Sequence, residues 1–316
     1  MDYRSRILGY LLNPLAIEPT FGLSEYLKFW DNTELQAKGS TLPSEIYART
    51  IEESRPYLFS VENDTVKPLG QTNDISSVEE QVTAVINLKG TMLAEGGLCT
   101  YGIDRIVRQV NSAAANTNVN GIIIRTHSGG GEVVAAQRLG NAVKNANEQK
   151  PVIQFVDGVS ASGALWVGVN AQEIHMAGDT TSVGSIGVVI QLDKRDIADL
   201  RDNLLSIFAD GSEDKQNIFK AILSGDHDFV KRESLNPIRD IFVKTVQKGR
   251  ATARKGEGVS EDVFTGKMFR AKKAIKLGLA DRKVNGIAES IKRVNTLVRS
   301  RKRAAAAGQA IKNLKK

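Results

Sequence analysis

The sequence has a single cysteine, Cys99, among its 316 residues. An internal disulfide is therefore excluded, and nothing points to an oxidising compartment. The three histidines share no spacing typical of metal ligands, so we expect neither a metal nor another cofactor. No stretch approaches the roughly 20 apolar residues that cross a bilayer. The amino terminus also lacks the apolar core and cleavage site of a signal peptide. These absences predict a cytoplasmic protein without membrane contact.

Basic residues are concentrated at the carboxyl terminus. Residues 282–316 contain 11 Lys and Arg residues against one acid, Glu289, a net charge of +10, whereas the whole chain carries +7. Residues 1–281 therefore carry −3. A basic arm of this kind can contact nucleic acid or an acidic partner, or it can be a solvated helix end, and the sequence leaves both interpretations open.

Residues 1–80 hold five of the seven prolines and no long periodic element. Three short amphipathic pieces could be helices, at Ile7–Leu12, Leu23–Trp30 and Glu45–Glu53. We expect three regions: an amino-terminal arm or small cap over residues 1–80, a main domain over residues 81–286, and a basic tail over residues 287–316.

The main domain alternates apolar runs with helical periodicity. The runs Val82–Leu88, Gly121–Arg125 and Pro151–Val156 predict buried strands. An amphipathic helix is expected after Gly102, and a second from Glu132 to about Glu148. This alternation predicts an α/β fold with largely parallel pairing.

The stretch from Val156 to Val189 contains the first candidate for chemistry. The apolar run ends at Asp157-Gly158, small residues follow, and Gly163 opens a new apolar run. This pattern predicts a strand, a tight turn that carries Ser162, and the start of a helix. A serine at such a turn lies near unpaired N–H groups, as in a nucleophile elbow. The alternative is that Ser162 only caps the helix.

Three glycines follow Ser128, at the end of the second predicted strand. Glycine lets backbone N–H groups approach an anion closely, which suits a phosphate or an oxyanion. Neither a P-loop nor a Gly-x-Gly-x-x-Gly pattern is present, so a nucleotide site is weakly supported. An oxyanion hole beside Ser162, or a turn without a ligand, remains.

A serine nucleophile needs a base. His127 and Asp157 could complete a Ser-His-Asp set. Lys215 is another candidate, because it follows a further predicted strand, Leu204–Ala209, and a lysine in a dry pocket can accept a proton. The residues alone leave this choice open.

From Val82 to Asp281 the chain resembles the signal peptide peptidase A family of serine proteases, and especially its phage branch of head maturation proteases. Five segments carry the resemblance, in the family's order: VINLKGTM, YGIDRIVRQVNSAAANTNVNGIIIRTHSGGGEVVAAQRL, KPVIQFVDGVSASGALWVGVNAQEI, TSVGSIGVV and VFTGKMFRAKKAIKLGLAD. The resemblance implies a Clp protease/crotonase-like fold of repeated ββα units and cleavage of peptides by a serine–lysine dyad.

The resemblance also implies roles for individual residues. Ser162 would be the nucleophile, Lys215 its base and Ser185 the group that orients the lysine. The loop before the lysine, GSEDK, is one residue longer than the family's common form, which makes Lys220 the fallback base. The oxyanion donors would be the N–H groups of three glycines: Gly130, Gly131 and Gly163.

The phage branch fits because the membrane-bound members carry an amino-terminal anchor that this sequence lacks. It implies a homo-oligomer in the host cytoplasm or the assembling prohead, with scaffold, major capsid or portal proteins as substrates. The alternatives are a cytoplasmic signal-peptide-peptidase-like protease, a crotonase-fold enzyme acting on acyl-CoA, and an assembly protein without activity. Self-cleavage within the small-residue run Ala304–Gly308 is a further expectation, although alanine's helix propensity favours a helix there.

Overall fold

A computed structural model describes residues 15–17, 51–95, 102–192, 197–198, 202–203 and 205–314. Within these ranges the chain forms one large sheet with helices on both faces. The strands are β1 (Leu15–Ile17), β2 (Tyr57–Glu62), β3 (Thr65–Gln71), β4 (Val82–Lys89), β5 (Val119–Ser128), β6 (Gly130–Glu132), β7 (Val152–Ala161), β8 (Glu173–Met176), β9 (Ser182–Gly184), β10 (Met268–Arg270) and β11 (Arg282–Lys283).

The helices range from one turn to 28 residues. The α-helices are α1 (Ile103–Ala115), α2 (Val133–Gln149), α3 (Gly163–Gly168), α4 (Asn217–Ser224), α5 (His227–Val230), α6 (Asn236–Gly249), α7 (Ala253–Gly256), α8 (Ala271–Lys276) and α9 (Ile287–Leu314). Short 3₁₀ turns lie at Ile75–Ser77, Glu213–Gln216 and Glu261–Val263, and a π turn at Lys231–Leu235 joins α5 to α6.

The predicted α/β fold with largely parallel pairing is confirmed. The nine-stranded sheet has the order β10-β9-β7-β5-β4-β2-β3, and β8 pairs with β7 and β11 off this path. The pairs β4–β5, β5–β7, β7–β8 and β7–β9 are parallel, and antiparallel strands lie at both edges. The three predicted strands of the main domain correspond to β4, β5 and β7.

The inner strands are continuous apolar runs because both of their faces are covered. On β5, Ile122 and Ile124 join the larger core beneath α1 and α2, whereas Ile123 faces a second core formed with α9. All three are fully buried. Burying an isoleucine side chain contributes about 1.5–3 kcal/mol, so these strands form a rigid centre for the loops at their ends.

The first half of α9, in the region predicted to be a tail, packs on the sheet. Its buried residues Ile291, Val294 and Leu297 lie in the second core. Val294 approaches β5 so closely that a Cβ on Gly121 would lie 2.4 Å from its Cγ1. From Lys302 onward the described side chains are exposed. Ala304–Gly308 is helical, as alanine's propensity favours, and cleavage there stays a prediction.

Two predicted boundaries are wrong. The strand expected to end at Val156 continues as β7 to Ala161, so that Asp157-Gly158 lies inside it and Ser162 alone joins the strand to α3. The strand expected at Leu204–Ala209 is not formed over residues 205–209, and Leu204 lies outside the described residues. Leu205 and Ile207 are 84% and 87% exposed. Their strand-like alternation finds no partner strand among the described residues.

The region predicted as an arm contributes a hairpin to the sheet. β2 pairs with both β3 and β4, so residues 57–71 extend the sheet of the main domain. The expected helices Ile7–Leu12 and Leu23–Trp30 lie outside the described residues, and only residues 51–53 of the third are described, as helix. The division into three regions stays a prediction. No described helix combines the length and apolarity that a membrane crossing requires.

Candidate active site

Ser162 forms the tight turn between strand β7 and helix α3. It follows β7 directly, and its carbonyl accepts the N–H of Trp166 at 2.9 Å to open α3. Its φ of 49° and ψ of −117° lie in a region that L-residues rarely adopt. A backbone of this kind costs about 1–3 kcal/mol and is found where surrounding structure enforces it. The predicted turn, with Ser162 on it, is therefore present and strained.

The alternative role of Ser162 as a helix cap does not fit. Its Oγ accepts no hydrogen bond from the N–H groups of α3. Instead, the hydroxyl donates to the carbonyl of Gly187 at 3.4 Å, a long and weak contact. The residue is nevertheless fully buried in the chain. A buried serine whose hydroxyl is weakly engaged is available for chemistry once a substrate and a base reach it.

Strand pairing brings Ser185 beside Ser162. Ala161 pairs with Gly184 in the parallel β7–β9 ladder, and the Ser162 N–H donates to the Gly184 carbonyl at 2.9 Å. Ser185 also has a positive φ, 54°, and its N–H donates to the carbonyl of Lys267 at 2.9 Å. The two serines thus lie on adjacent strained turns that backbone hydrogen bonds fix.

The glycine turn lies at the same end of the sheet. Ser128 pairs with Ser160 in the β5–β7 ladder, so the glycines and Ser162 both follow the carboxyl ends of these strands. β6 also packs against α3. The Ser128 Oγ donates to the Gly90 carbonyl at 2.6 Å and accepts the Gly130 N–H at 3.1 Å. This side chain holds the turn closed.

The three predicted oxyanion donors differ in how they are engaged. The Gly130 N–H is already bonded to Ser128. A Cβ on Gly131 would lie 2.1 Å from the Met92 carbonyl oxygen, so only glycine fits at this position. Gly163 is the first residue of α3, where an N–H has no acceptor within the helix. Gly163 is therefore better placed as a donor than Gly130, whereas Gly131 is paired with Ala16 of β1.

The structure does not bring the predicted base to the nucleophile. Lys215 lies on the exposed 3₁₀ turn Glu213–Gln216. Among the described residues, its side chain makes no hydrogen bond or ion pair. The fallback, Lys220, donates to the Glu213 carbonyl at 3.2 Å and lies over the ring of Phe208. Neither lysine contacts Ser162 in the described chain.

The histidine alternative is not assembled either. His127 Nδ1 lies 3.1 Å from the backbone carbonyl of Asp157, and the Asp157 carboxylate accepts from Arg125 Nε at 2.7 Å. His127 is exposed, whereas its neighbour Ser128 is buried, because successive residues of β5 point to opposite faces. A Ser-His-Asp set around Ser162 is therefore not formed.

Sequence reasoning missed a buried polar network on the opposite face of the sheet. His175 is fully buried, with Nδ1 2.8 Å from Ser290 Oγ and Nε2 2.8 Å from Glu173 Oε2. Arg293 donates to both oxygens of Glu173. The sequence signals that could have indicated this network are two polar residues spaced i, i+2 on strand β8 and two spaced i, i+3 on helix α9. Ser290, a residue of α9, is fully buried, so this network fixes the helix on the sheet.

Burial alone would raise the pKa of Glu173. Hydrogen bonds from His175 and Arg293, together with the charges of Arg282 and Arg293, outweigh that effect and lower the pKa from 4.5 to about 2. Within the described ranges, no three His, Cys, Asp or Glu side chains come together as metal ligands.

Comparisons with known proteins point to one family. The sequence model of peptidase family S49 matches residues 144–300. A Methanocaldococcus jannaschii protein named as a protease is 30% identical over 166 residues, 52% of this chain and 52% of that protein. A Synechocystis protein, also named as a protease, is 29% identical over 59% of this chain and 66% of its own length.

A viral relative is more distant. The head-tail preconnector protein GP5 of Enterobacteria phage P21 is 24% identical over 64% of this chain and 40% of its own length. Among solved structures, a serine-to-alanine mutant of the 1510-N membrane-bound stomatin-specific protease has a TM-score of 0.42 at 18% identity, over 66% of this chain and 82% of that one. This chain spans about half to two thirds of the length of the first two relatives.

Proposed function

We propose that the chain is a serine endopeptidase whose nucleophile is Ser162, and the match of residues 144–300 to the sequence model of peptidase family S49 supports this proposal. The observation that carries the proposal is the conformation of this residue. Ser162 is buried between β7 and α3 at a positive φ, and its hydroxyl is not used to cap the helix. A serine held in a strained strand-to-helix turn is the arrangement that presents a nucleophile to a carbonyl.

In the proposed reaction, Ser162 Oγ attacks the scissile carbonyl while the ε-amine of Lys215 accepts its proton. The tetrahedral intermediate collapses, the lysine returns the proton to the leaving amine, and the acyl-enzyme is hydrolysed by water. Ser185 orients the lysine, since it lies beside Ser162 through the β7–β9 pairing. No cofactor takes part in this scheme.

The oxyanion is stabilised by backbone N–H groups from the glycine turn and the start of α3. We assign this role to Gly163 and Gly131, with Gly131 able to donate once β1 leaves it and Gly130 once its N–H leaves the Ser128 hydroxyl. A donor aimed at a developing oxyanion contributes about 3–4 kcal/mol in other hydrolases. The packing of β6 against α3 supports this assignment, because it places both groups of donors at one end of the sheet.

The proposed dyad needs a second copy of the chain. Lys215 is exposed and does not contact Ser162, and the preceding segment, residues 205–209, exposes two large apolar side chains. We propose a homo-oligomer in which this segment packs on a neighbouring subunit and delivers Lys215 to a serine. The exposure of Leu205 and Ile207 supports the proposal, because apolar side chains this exposed are favoured at interfaces.

The substrates we propose are proteins of an assembling virus head: scaffold, major capsid or portal proteins. The likeness to the phage preconnector protein supports this assignment. The corresponding location is the host cytoplasm or the prohead itself. The exposed basic residues of α9, Arg299, Lys302 and Arg303, support a contact with nucleic acid or an acidic partner in that setting.

An active-site probe tests the core of the proposal. The assembled protein is treated with a fluorophosphonate, and the modified residue is identified by mass spectrometry. We expect one adduct, on Ser162, which is lost in Lys215→Ala and retained in the matched variant Lys220→Ala. An unmodified Ser162 in the assembled protein would contradict the peptidase proposal and favour the acyl-CoA enzyme or the idle assembly protein.

The substrate class needs a separate experiment. The protein is coexpressed with the capsid, scaffold and portal proteins of a phage. We expect at least one of them to be cut at defined peptide bonds, and to remain intact with Ser162→Ala. If all three remain intact while Ser162 reacts with the probe, the protein is a peptidase with other substrates.

A further inference from the structure

A segment far upstream of the main domain pairs with the glycine turn. β1 runs antiparallel to β6, with Leu15 opposite Glu132, Ala16 opposite Gly131 and Ile17 opposite Gly130. These two strands form a sheet of their own, separate from the nine-stranded sheet. The backbone of residues 15–17 thus lies along the strand that carries two of the candidate oxyanion glycines.

The other edge of β6 is already used. The N–H of Met92 donates to the Gly130 carbonyl at 2.8 Å, and the Glu132 N–H donates to the Met92 carbonyl at 2.9 Å. Because backbone groups of successive residues in a strand point to alternate sides, the N–H and C=O of Gly131 point away from Met92. They face β1, at the position opposite Ala16. β1 therefore covers the one edge of β6 that a peptide could pair with.

We infer that β1 is an intramolecular competitor of substrate. This inference rests on the proposed peptidase function and adds regulation to the same site. An extended peptide binds a protease by strand addition, through main-chain hydrogen bonds to an exposed edge. β6 packs against α3, the helix that begins directly after Ser162, and residues 15–17 occupy the free edge of β6 in the way that such a peptide would. With β1, the chain therefore blocks the edge of β6 to which a substrate would bind.

The pairing of β1 with β6 is reversible because the ladder between the two strands is short. The β1–β6 ladder has only three residue pairs, and an isolated short strand pair is marginally stable. An intramolecular competitor lowers the fraction of the protein that can bind substrate, which raises the apparent KM and leaves kcat unchanged. Removal of the strand, by a partner or by cleavage, would then activate the site without changing its chemistry.

Substitutions at Ala16 test this in the full-length protein. Ala16→Pro removes the N–H that pairs with Gly131, and the matched control Ala16→Val keeps it. Hydrogen exchange reports whether the amide of Gly131 is covered, and a quenched fluorescent peptide reports KM and kcat. We expect Ala16→Pro to speed exchange at Gly131 and to lower KM about tenfold at unchanged kcat, the factor expected for one or two net hydrogen bonds. Ala16→Val should match the wild type.

Each other outcome overturns the inference. Unchanged exchange at Gly131 in Ala16→Pro would show that β1 does not cover this edge. Faster exchange with an unchanged KM would show that β1 covers it without competing with substrate. If no variant cleaves any peptide or reacts with a serine probe, the proposed peptidase function fails and competition with substrate fails with it, while exchange at Gly131 separately reports whether β1 occupies the edge.

Discussion

The backbone N–H of Ser162 donates to the carbonyl oxygen of Gly184 at 2.9 Å. This single bond joins the turn of the candidate nucleophile to the strand that leads into Ser185. Both serines have a positive φ, and both turns are held by backbone hydrogen bonds. The serine side of the site is therefore built by the sheet itself, whereas the lysine side depends on an element that the sheet does not hold.

The strain at Ser162 gives a stability prediction. Ser162→Ala and Ser162→Gly should both be inactive, because both lack the nucleophile. Glycine tolerates a φ of 49° without a Cβ penalty. We therefore expect Ser162→Gly to be more stable than Ser162→Ala by about 1 kcal/mol. Urea unfolding of the two variants measures the difference. An alanine variant at least as stable as the glycine variant would mean that the turn is not strained.

The identity of the base can be tested with arginine. Lys215→Arg keeps the positive charge, but a guanidinium is not deprotonated in proteins. We expect activity to fall about 100- to 10,000-fold, the usual contribution of a general base. Lys220→Arg, on the neighbouring helix α4, is the matched control and should keep near wild-type activity. The reverse pattern would assign the base to Lys220.

Assembly of the dyad across subunits predicts complementation. Neither Ser162→Ala nor Lys215→Ala should be active alone. In randomly mixed oligomers, one site in four receives both intact groups, so about a quarter of wild-type activity should return. Peptide cleavage by the mixture measures it. If activity stays absent while labelled subunits demonstrably exchange, both groups of the dyad come from one chain.

The exposed segment before Lys215 should carry the subunit contact. Ile207→Asp places a charge on a side chain that is 87% exposed, so it should not unfold the chain. We expect it to weaken the oligomer in sedimentation velocity and to lower activity in parallel. Leu69→Asp, on the exposed edge strand β3, is the control and should change neither. If the oligomer stays intact with Ile207→Asp, residues 205–209 do not form the subunit interface.

Features of the fold and site that depend on residues close together in the sequence could be predicted, and features that depend on distant residues could not. The inner strands and the Ser162 turn were predictable because short local patterns, apolar runs and clusters of small residues, determine them. β7 was predicted too short, since Gly158 indicates a turn, yet a φ of 122° is accommodated inside the strand. There a Cβ would meet His127 at 2.2 Å, a contact that no local pattern reveals.

Long-range contacts were not predictable. Leu204–Ala209 has the alternation of a strand, but a strand also needs a neighbour, and the described chain supplies none. The pairing of β1 with β6 joins segments that share no pattern. The contact between His175 and Ser290 spans 115 positions. Individually these are an isolated histidine and one serine on a basic helix, and only the fold makes them partners.

The buried network around Glu173 leads to the last prediction, which concerns how the stability of the fold depends on pH. The pKa of Glu173 is about 2 in the folded chain and is taken as 4.5 when unfolded. The ionised carboxylate therefore stabilises the fold above pH 4.5, and this stabilisation is lost as the pH falls towards 2. A shift of this size corresponds to about 3 kcal/mol at neutral pH.

Glu173→Gln tests this, because it keeps the shape of the side chain and removes the charge that pairs with Arg293. We expect its deficit in free energy of unfolding to be constant from pH 7 to about 5 and to shrink by about 1 kcal/mol at pH 3.5. Urea unfolding of both proteins at each pH measures it, and Glu289→Gln, an exposed acid on α9, should show no comparable deficit. A Glu173→Gln deficit that does not change between pH 7 and pH 3.5 would mean that the carboxylate acts through shape and hydrogen bonding, and that its ionisation contributes nothing to holding α9 on the sheet.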